Sequence, residues 1–485
     1  MKNITEPFTG PRLRVALLVI PLVLLAMQSD TVDAAEPGDS RPNILLITTD
    51  QQFADAMGCA GSEGLNTPAM DEIAKRGVRF TNAYVNYPVC LPERYSMYTG
   101  RLPCTRRLAD AKNKPIVSLG NQAKLAGYRT AYFGKWHIQD QTFSTKDRKH
   151  HGFDVYTSGR DATITENAVG YLSQPNDTPF LLVTSYYNPH DICEWGRKKA
   201  GVKEKKATTM RNGDVSISPP LEDCPPLPDN YEINADEAEA VMRRRNIVDK
   251  KGPNAQKMAM SFDRDQWRQY RWAYNRLVEL VDNEIGQVLA ALKENGLDEN
   301  TVVIFTSDHG DGCGAHRWHQ KSILYEESCR VPFIIRWPGQ SRVNEIDDRL
   351  VSVGIDLMPT ISEIVGTPMP DGPYFGLSAL PFALDEHSPA PTHRYVVTEA
   401  EVDDDVSYKG RSVRTPNFKY HRWSDGSNRE QLFDMVNDRG ETNNLAQEPE
   451  FADVLEAHRK MLADWIERTD DTYTDSEAVV RAYGN

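Results

Sequence analysis

Four short apolar runs along the chain end abruptly in polar, chemically capable residues, and this repeated pattern predicts the architecture. Asn43-Ile44-Leu45-Leu46-Ile47-Thr48 passes into Asp50-Gln51, and Arg129 to Phe133 passes into Gly134-Lys135-Trp136-His137. Phe180 to Tyr186 leads to Asn188-Pro189-His190, and Val302 to Ser307 leads to Asp308-His309-Gly310. Nearly continuous apolar runs separated by helical patterns predict strands of an α/β sheet buried on both faces. Ligands collect beyond the carboxyl ends of such strands. The four strand ends are therefore expected to line one crevice. Between the strands, Tyr274, Leu277, Val281, Ile285, Val288 and Leu292 recur at helical spacing and predict a long amphipathic helix closed by Gly296.

Two regions have a different texture. Residues from about 196 to 262 are rich in Lys, Arg, Pro and Glu with weak periodicity, apart from 235–245, and are expected to form an insertion over the surface. Beyond residue 390, short alternating runs at Tyr395–Thr398, Arg411–Arg414 and Lys419–Trp423, with a turn at Pro416-Asn417, predict a small antiparallel sheet. A last helix is expected over Pro449–Arg468, with Phe451, Leu455, Leu462 and Trp465 or Ile466 inward. The expected fold is thus α/β: a large, mostly parallel sheet sandwiched by helices over 41–385, and a smaller C-terminal α+β subdomain on an antiparallel sheet over 390–485.

Composition is that of an ordinary globular protein, and 485 residues exceed a single core. The beginning departs from it: Arg12 and Arg14 precede the apolar run Val15 to Ala26, and Val32-Asp33-Ala34 offers small residues for cleavage. Residues 1–34 read as a secretory signal too short for stable membrane insertion, so the mature protein is expected outside the cell or in a periplasm. A net charge of -14 argues against nucleic acid as a partner. Export also favours pairing of thiols, although seven cysteines leave one over and buried free thiols remain an alternative.

Cys90-Leu91-Pro92-Glu93-Arg94, followed by Thr99-Gly100-Arg101, carries the strongest motif. It resembles the signature of the formylglycine-dependent sulfatase family, within the alkaline-phosphatase-like superfamily. Gly134-Lys135-Trp136-His137, Asn188-Pro189-His190, and His316 to Lys321 followed by Tyr325-Glu326-Glu327-Ser328 extend the likeness over about 41–447. The resemblance implies hydrolysis of sulfate esters on a sulfated polysaccharide or oligosaccharide. It implies that a maturation enzyme oxidises Cys90 to formylglycine, and that Asp50, Gln51, Asp308, His309 and the side chain at 90 hold a divalent cation. Hard oxygen donors favour Ca2+, with Mg2+ or Mn2+ as alternatives. The family often has aspartate where Gln51 stands, asparagine where His309 stands and a small residue where Glu93 stands.

Charge moves onto the leaving oxygen as a sulfate ester breaks, and preorganised donors stabilise that state more than the ground state. Arg94, Lys135, His137, His190 and Lys321 are the expected set: His190 as acid aided by Lys321, Lys135 and His137 on sulfate and hydrated aldehyde, Arg94 holding the hydrate. Trp195 beside Arg197, and Trp318 beside His316, Arg317 and His319, are candidate sugar contacts or packing residues. Two other readings share these residues: a phosphonate or phosphate monoester hydrolase, and a non-catalytic protein that binds sulfated glycans. The oligomeric state is open.

Overall fold

A computed structural model of the chain describes residues 41–103, 117–138, 148–175, 177–246, 248, 249, 252, 253, 257, 259–403 and 407–474. The expected leader and Cys104 lie outside the described residues. The four apolar runs form strands Asn43–Asp50, Arg129–Gly134, Phe180–Pro189 and Thr301–Ser307. They belong to an eight-stranded sheet in the order 345–352, 78–84, 333–336, 301–307, 43–50, 180–189, 129–134, 155–157. Only Phe333–Arg336 runs against its neighbours.

Period-two alternation explains why both faces are apolar. Leu45 and Ile47 join one core cluster, Ile44 and Leu46 the other. Each such side chain is fully buried, which stabilises the fold by roughly 1.5–3 kcal/mol per residue. The first face is covered by the long helix, which runs Arg264–Glu294. It starts earlier than its aliphatic stripe because Trp267 and Tyr270 extend that stripe, and because Asp263 and Gln266 form a reciprocal capping box. The second face is covered by helix Val353–Val365 and by the helix that begins at Cys90.

The antiparallel sheet comprises Val396–Asp403, Ser407–Arg414, Phe418–Trp423 and Glu430–Asp434 in that order. Helix Ala452–Thr469 packs on it through Leu455, Leu462 and Trp465, and Ile355 and Leu102 enter the same cluster. This sheet also meets the segment before Cys90: Glu399 N donates to Asn86 O at 2.7 Å and Thr398 Oγ1 to Val85 O at 2.6 Å.

One expectation is refined, and for the cysteines one of the two alternatives is observed. The segment 196–262 does more than cover the surface, since Val215, Tyr231, Ala238, Val241 and Phe262 are buried. Isolated anchors among Pro and Lys leave no periodic trace. Among the described residues Cys59, Cys90, Cys193, Cys224, Cys313 and Cys329 are free thiols, five of them buried. No helix among the described residues is long and apolar enough to cross a membrane.

Candidate functional site

Parallel pairing of 43–50 with 301–307 sets Thr49 opposite Ser307, so the next residues, Asp50 and Asp308, emerge side by side. Gln51 N donates to Asp308 Oδ1 at 3.1 Å. Gln51 leaves the strand at φ 74°, a left-handed conformation that a non-glycine residue keeps only when its surroundings hold it. Tyr274 of the long helix does so by donating its hydroxyl to Gln51 O at 2.8 Å. Strand 129–134 ends at Gly134, where a Cβ would stand 1.9 Å from Ser185 O. Glycine alone permits that approach, which delivers Lys135 beside Asp50.

Helix Cys90–Thr99 places Cys90 and Arg94 one turn apart on one face. Cys90 Sγ lies 3.2 Å from His309 Nε2, 2.9 Å from Lys321 Nζ and 3.8 Å from Asp50 Oδ1, and it also hydrogen-bonds with His137 and His190. Arg94 is fully buried. Its Nε donates to Asp308 Oδ2 at 2.6 Å, Nη2 to Asp50 Oδ2 at 3.1 Å, and Nη1 to Lys135 O and Ser185 Oγ at 2.8 and 2.7 Å. A buried guanidinium is tolerated because two carboxylates and two neutral oxygens satisfy it. Four of the five guanidinium hydrogens are thus directed at the carboxylates, Ser185 and the Lys135 turn, which Arg94 fixes in place.

One ligand atom from each of Asp50, Cys90, Asp308 and His309 lies within 4.8 Å of the others. His309 Nδ1 sits 2.9 Å from Gly310 O, so its hydrogen belongs there and the Nε2 lone pair faces the cluster. The ammonium of Lys321 is drawn between Cys90 Sγ, His309 Nε2 at 3.1 Å and Gln51 Oε1 at 3.0 Å. Two carboxylates beside an imidazole nitrogen, with an amide oxygen reached through the Lys321 ammonium, are a donor set that fits a hard divalent cation. Burial and the neighbouring thiolate push the Asp50 carboxyl up, but Lys135, His190 and Arg94 outweigh them and hold it well below its usual range. Burial, then Lys135 and Lys321, push His190 down to about 4, so its ring is neutral near pH 7.

The sugar-contact candidates fare differently. Trp195 is fully buried, its Nε1 donating to Ser216 O at 2.9 Å, and Trp318 is buried beneath the Arg245 guanidinium, 4.8 Å from its ring. Both are packing residues, because neither offers a ring face to solvent. His316 is likewise turned inward, stacked on Tyr325 at 4.1 Å, and His319 is buried against Tyr270. Arg317 pairs with Glu232 at 2.7 Å and Arg197 with Glu194 at 3.1 Å, both partly exposed. Sequence reasoning overlooked Asp311, which is buried and accepts from Gln51 Nε2 at 2.7 Å. Its one signal was an acidic residue two places beyond His309.

Donors that could hold a metal ion, with cations adjoining them at the carboxyl end of a mostly parallel sheet, fit a hydrolase of anionic esters. Residues 42–367 match the Sulfatase family, and 314–468 match the family described as N-sulphoglucosamine sulphohydrolase, C-terminal. A Delta 4,5-hexuronate-2-O-sulfatase of Bacteroides thetaiotaomicron is 32% identical over 91% of this chain and 92% of its own length. An ulvan-active sulfatase of Formosa agariphila is 30% identical, covering 90% and 84%. The solved structure of a 2-O GAG sulfatase superposes with a TM-score of 0.77 at 30% identity, covering 89% of this chain and 93% of that one. The chain belongs to the sulfatase family and is a sulfuric ester hydrolase.

Proposed function

We propose that this sulfatase removes sulfate from a sulfated polysaccharide or its fragments, acting after export and after oxidation of Cys90 to formylglycine by a maturation enzyme. The observation that carries this reading is the position of Cys90, between two carboxylates and the ammonium of Lys321, with Lys135 on Asp50 alongside. Its Sγ stands in for the hydroxyls of the matured residue. A hydrated aldehyde supplies two hydroxyls on one carbon, one to attack sulfur and one whose deprotonation expels sulfate. Asp50, Gln51, Asp308, His309 and position 90 would hold a divalent cation, Ca2+ first, with Mg2+ or Mn2+ as alternatives, which would lower the hydroxyl pKa and counter sulfate charge.

The chain's own residues do the rest. Arg94 locks Asp50 and Asp308 in place, and Lys135, His137 and Lys321 meet the sulfate and residue 90. His190 is neutral in the free enzyme because Lys135 and Lys321 add to the effect of burial. The single negative charge of a bound sulfate ester counters part of the positive potential of Lys135 and Lys321, which favours protonation of the ring from solvent, and the ring then passes that proton to the leaving alcohol. Arg197 and Arg317, partly exposed, are the remaining candidates for outer substrate contacts.

A 2-O-sulfated hexuronate is the first sugar to test, since that is what the relative at 32% identity acts on by its name. The test is inorganic sulfate release from defined sulfated oligosaccharides by the matured enzyme. Release from a 2-O-sulfated uronate supports the reading. Release of phosphate but no sulfate from matched esters of one phenol overturns it. Cys90→Ala should abolish turnover with the fold intact.

A further inference from the structure

The amide at position 51 raises a problem that a carboxylate would not have, because only one end of it can bind a cation. If its nitrogen faces the cluster, it presents hydrogens to the cation instead of a lone pair. Cys193 Sγ cannot choose between the ends, lying 3.4 Å from Nε2 and 3.5 Å from Oε1. Asp311 can. Cys313 N donates to Asp311 Oδ1 at 2.7 Å, and the Tyr270 hydroxyl lies 3.0 and 2.9 Å from its two oxygens. The remaining acceptor, Oδ2, meets Gln51 Nε2 at 2.7 Å, which turns Gln51 Oε1 towards Lys321 and the metal-binding cluster.

We propose that Asp311 is a positioning residue that sets the Gln51 amide with its oxygen facing the metal site. This rests on the reading of Gln51 as a ligand. The hydrogen-bond chain makes the idea specific. In Asp311→Asn, Cys313 N still requires an acceptor, so the side-chain oxygen stays there and the new NH2 faces Gln51. Donor would meet donor, and the Gln51 amide would turn over. Replacing Gln51 by glutamate in the same protein restores an acceptor towards position 311 and leaves a second oxygen for the cation.

The experiment titrates Ca2+ into metal-stripped, full-length protein by calorimetry, with Tm measured in the absence of metal. D311N should weaken Ca2+ binding about 10- to 100-fold, the usual effect of losing a partner that orients a ligand, and D311N/Q51E should recover most of it. Unchanged binding by folded D311N overturns the proposal, as does a double variant no better than D311N, because a merely structural role would not be repaired at position 51. Should D311N not fold, Q51E decides: two facing carboxylates should lower its metal-free Tm, D311N should restore it, and an undiminished Q51E Tm counts against the assignment. A wild-type protein that binds no divalent cation overturns the metal reading itself, whereas intact wild-type binding with an indifferent D311N removes only this inference.

Discussion

Among the described residues, two of the buried clusters of charge are built to opposite ends. In the first, Asp50 and Asp308 face Arg94, Lys135 and Lys321, with histidines and the side chain at 90 completing the ring. Cations outnumber carboxylates there, and Lys321, His190 and His137 reach solvent. In the second, the buried Glu326 and Glu441, with the exposed Asp55 at their edge, face Lys419, Arg330 and Arg414. Lys419 Nζ lies 3.0 Å from Glu326 and 2.9 Å from Glu441, Arg330 pairs with Asp55 and Glu326, and Arg414 donates to Tyr84, whose hydroxyl donates to Glu326. Those charges balance. The balanced cluster ties the small sheet to the end of strand Val78–Tyr84 and works as a joint. With position 90 as the uncharged formylglycine proposed above, the unbalanced one would leave positive potential at an opening, a local attraction for a sulfate ester in a protein of net charge -14.

Breaking the joint should have the largest effect on folding. Lys419→Met leaves Glu326 and Glu441 buried without their shared cation, and is expected to cost about 3–5 kcal/mol. Chemical denaturation measures the loss, while kcat of the folded fraction stays near wild type. Lys321→Ala should behave in the opposite way, lowering kcat roughly 10²- to 10³-fold, as for loss of one preorganised donor, with Tm little changed. If Lys321→Ala lost mainly stability and Lys419→Met mainly kcat, the contrast between the clusters would be wrong.

Glu93 sharpens the comparison because it lies between the two. Its Oε2 accepts from Asn86 N and Tyr87 N, both at 2.9 Å, and Asn86 O in turn accepts from the small sheet. Glu93→Ala strands two buried donors and should cost about 1–3 kcal/mol, with a smaller fall in kcat, read by denaturation and steady-state kinetics in parallel. The gentlest probe is pH. Burial pushes the Glu326 carboxyl up, but Lys419 and Arg330 outweigh it and hold it at about 2, below its ordinary 4.5. Its contribution is fully present above pH 4.5 and lost as pH falls through about 2. The Tm gap between wild type and Glu326→Gln should therefore narrow on acidification, and a constant gap would contradict the sign.

The difference between the clusters also explains what could be read from the chain alone. Asp50, Lys135, His190 and Asp308 were legible because each follows directly on an apolar strand, and local periodicity records where strands stop. The joint left less trace: Arg414 and Lys419 face each other across one hairpin, but Tyr84, Glu326 and Glu441 come from three further stretches that only tertiary packing brings to that pair. Trp195 and Trp318, flanked by cations in sequence, were open between sugar platforms and packing residues. Burial, a tertiary property, decides for packing. Arg94 was recognised from its spacing to Cys90, whereas its direction towards Asp308 and Asp50 depends on the strand pairing that sets those carboxylates together.

The central claim is that residue 90 acts as an oxidised side chain at the meeting point of a divalent cation and the surplus cations. The most direct measurement is the mass spectrum of the peptide carrying position 90, taken from enzyme that is releasing sulfate. The account predicts the mass of the aldehyde or its hydrate, in proportion to the active fraction. An intact Cys90 thiol in fully active enzyme would contradict it.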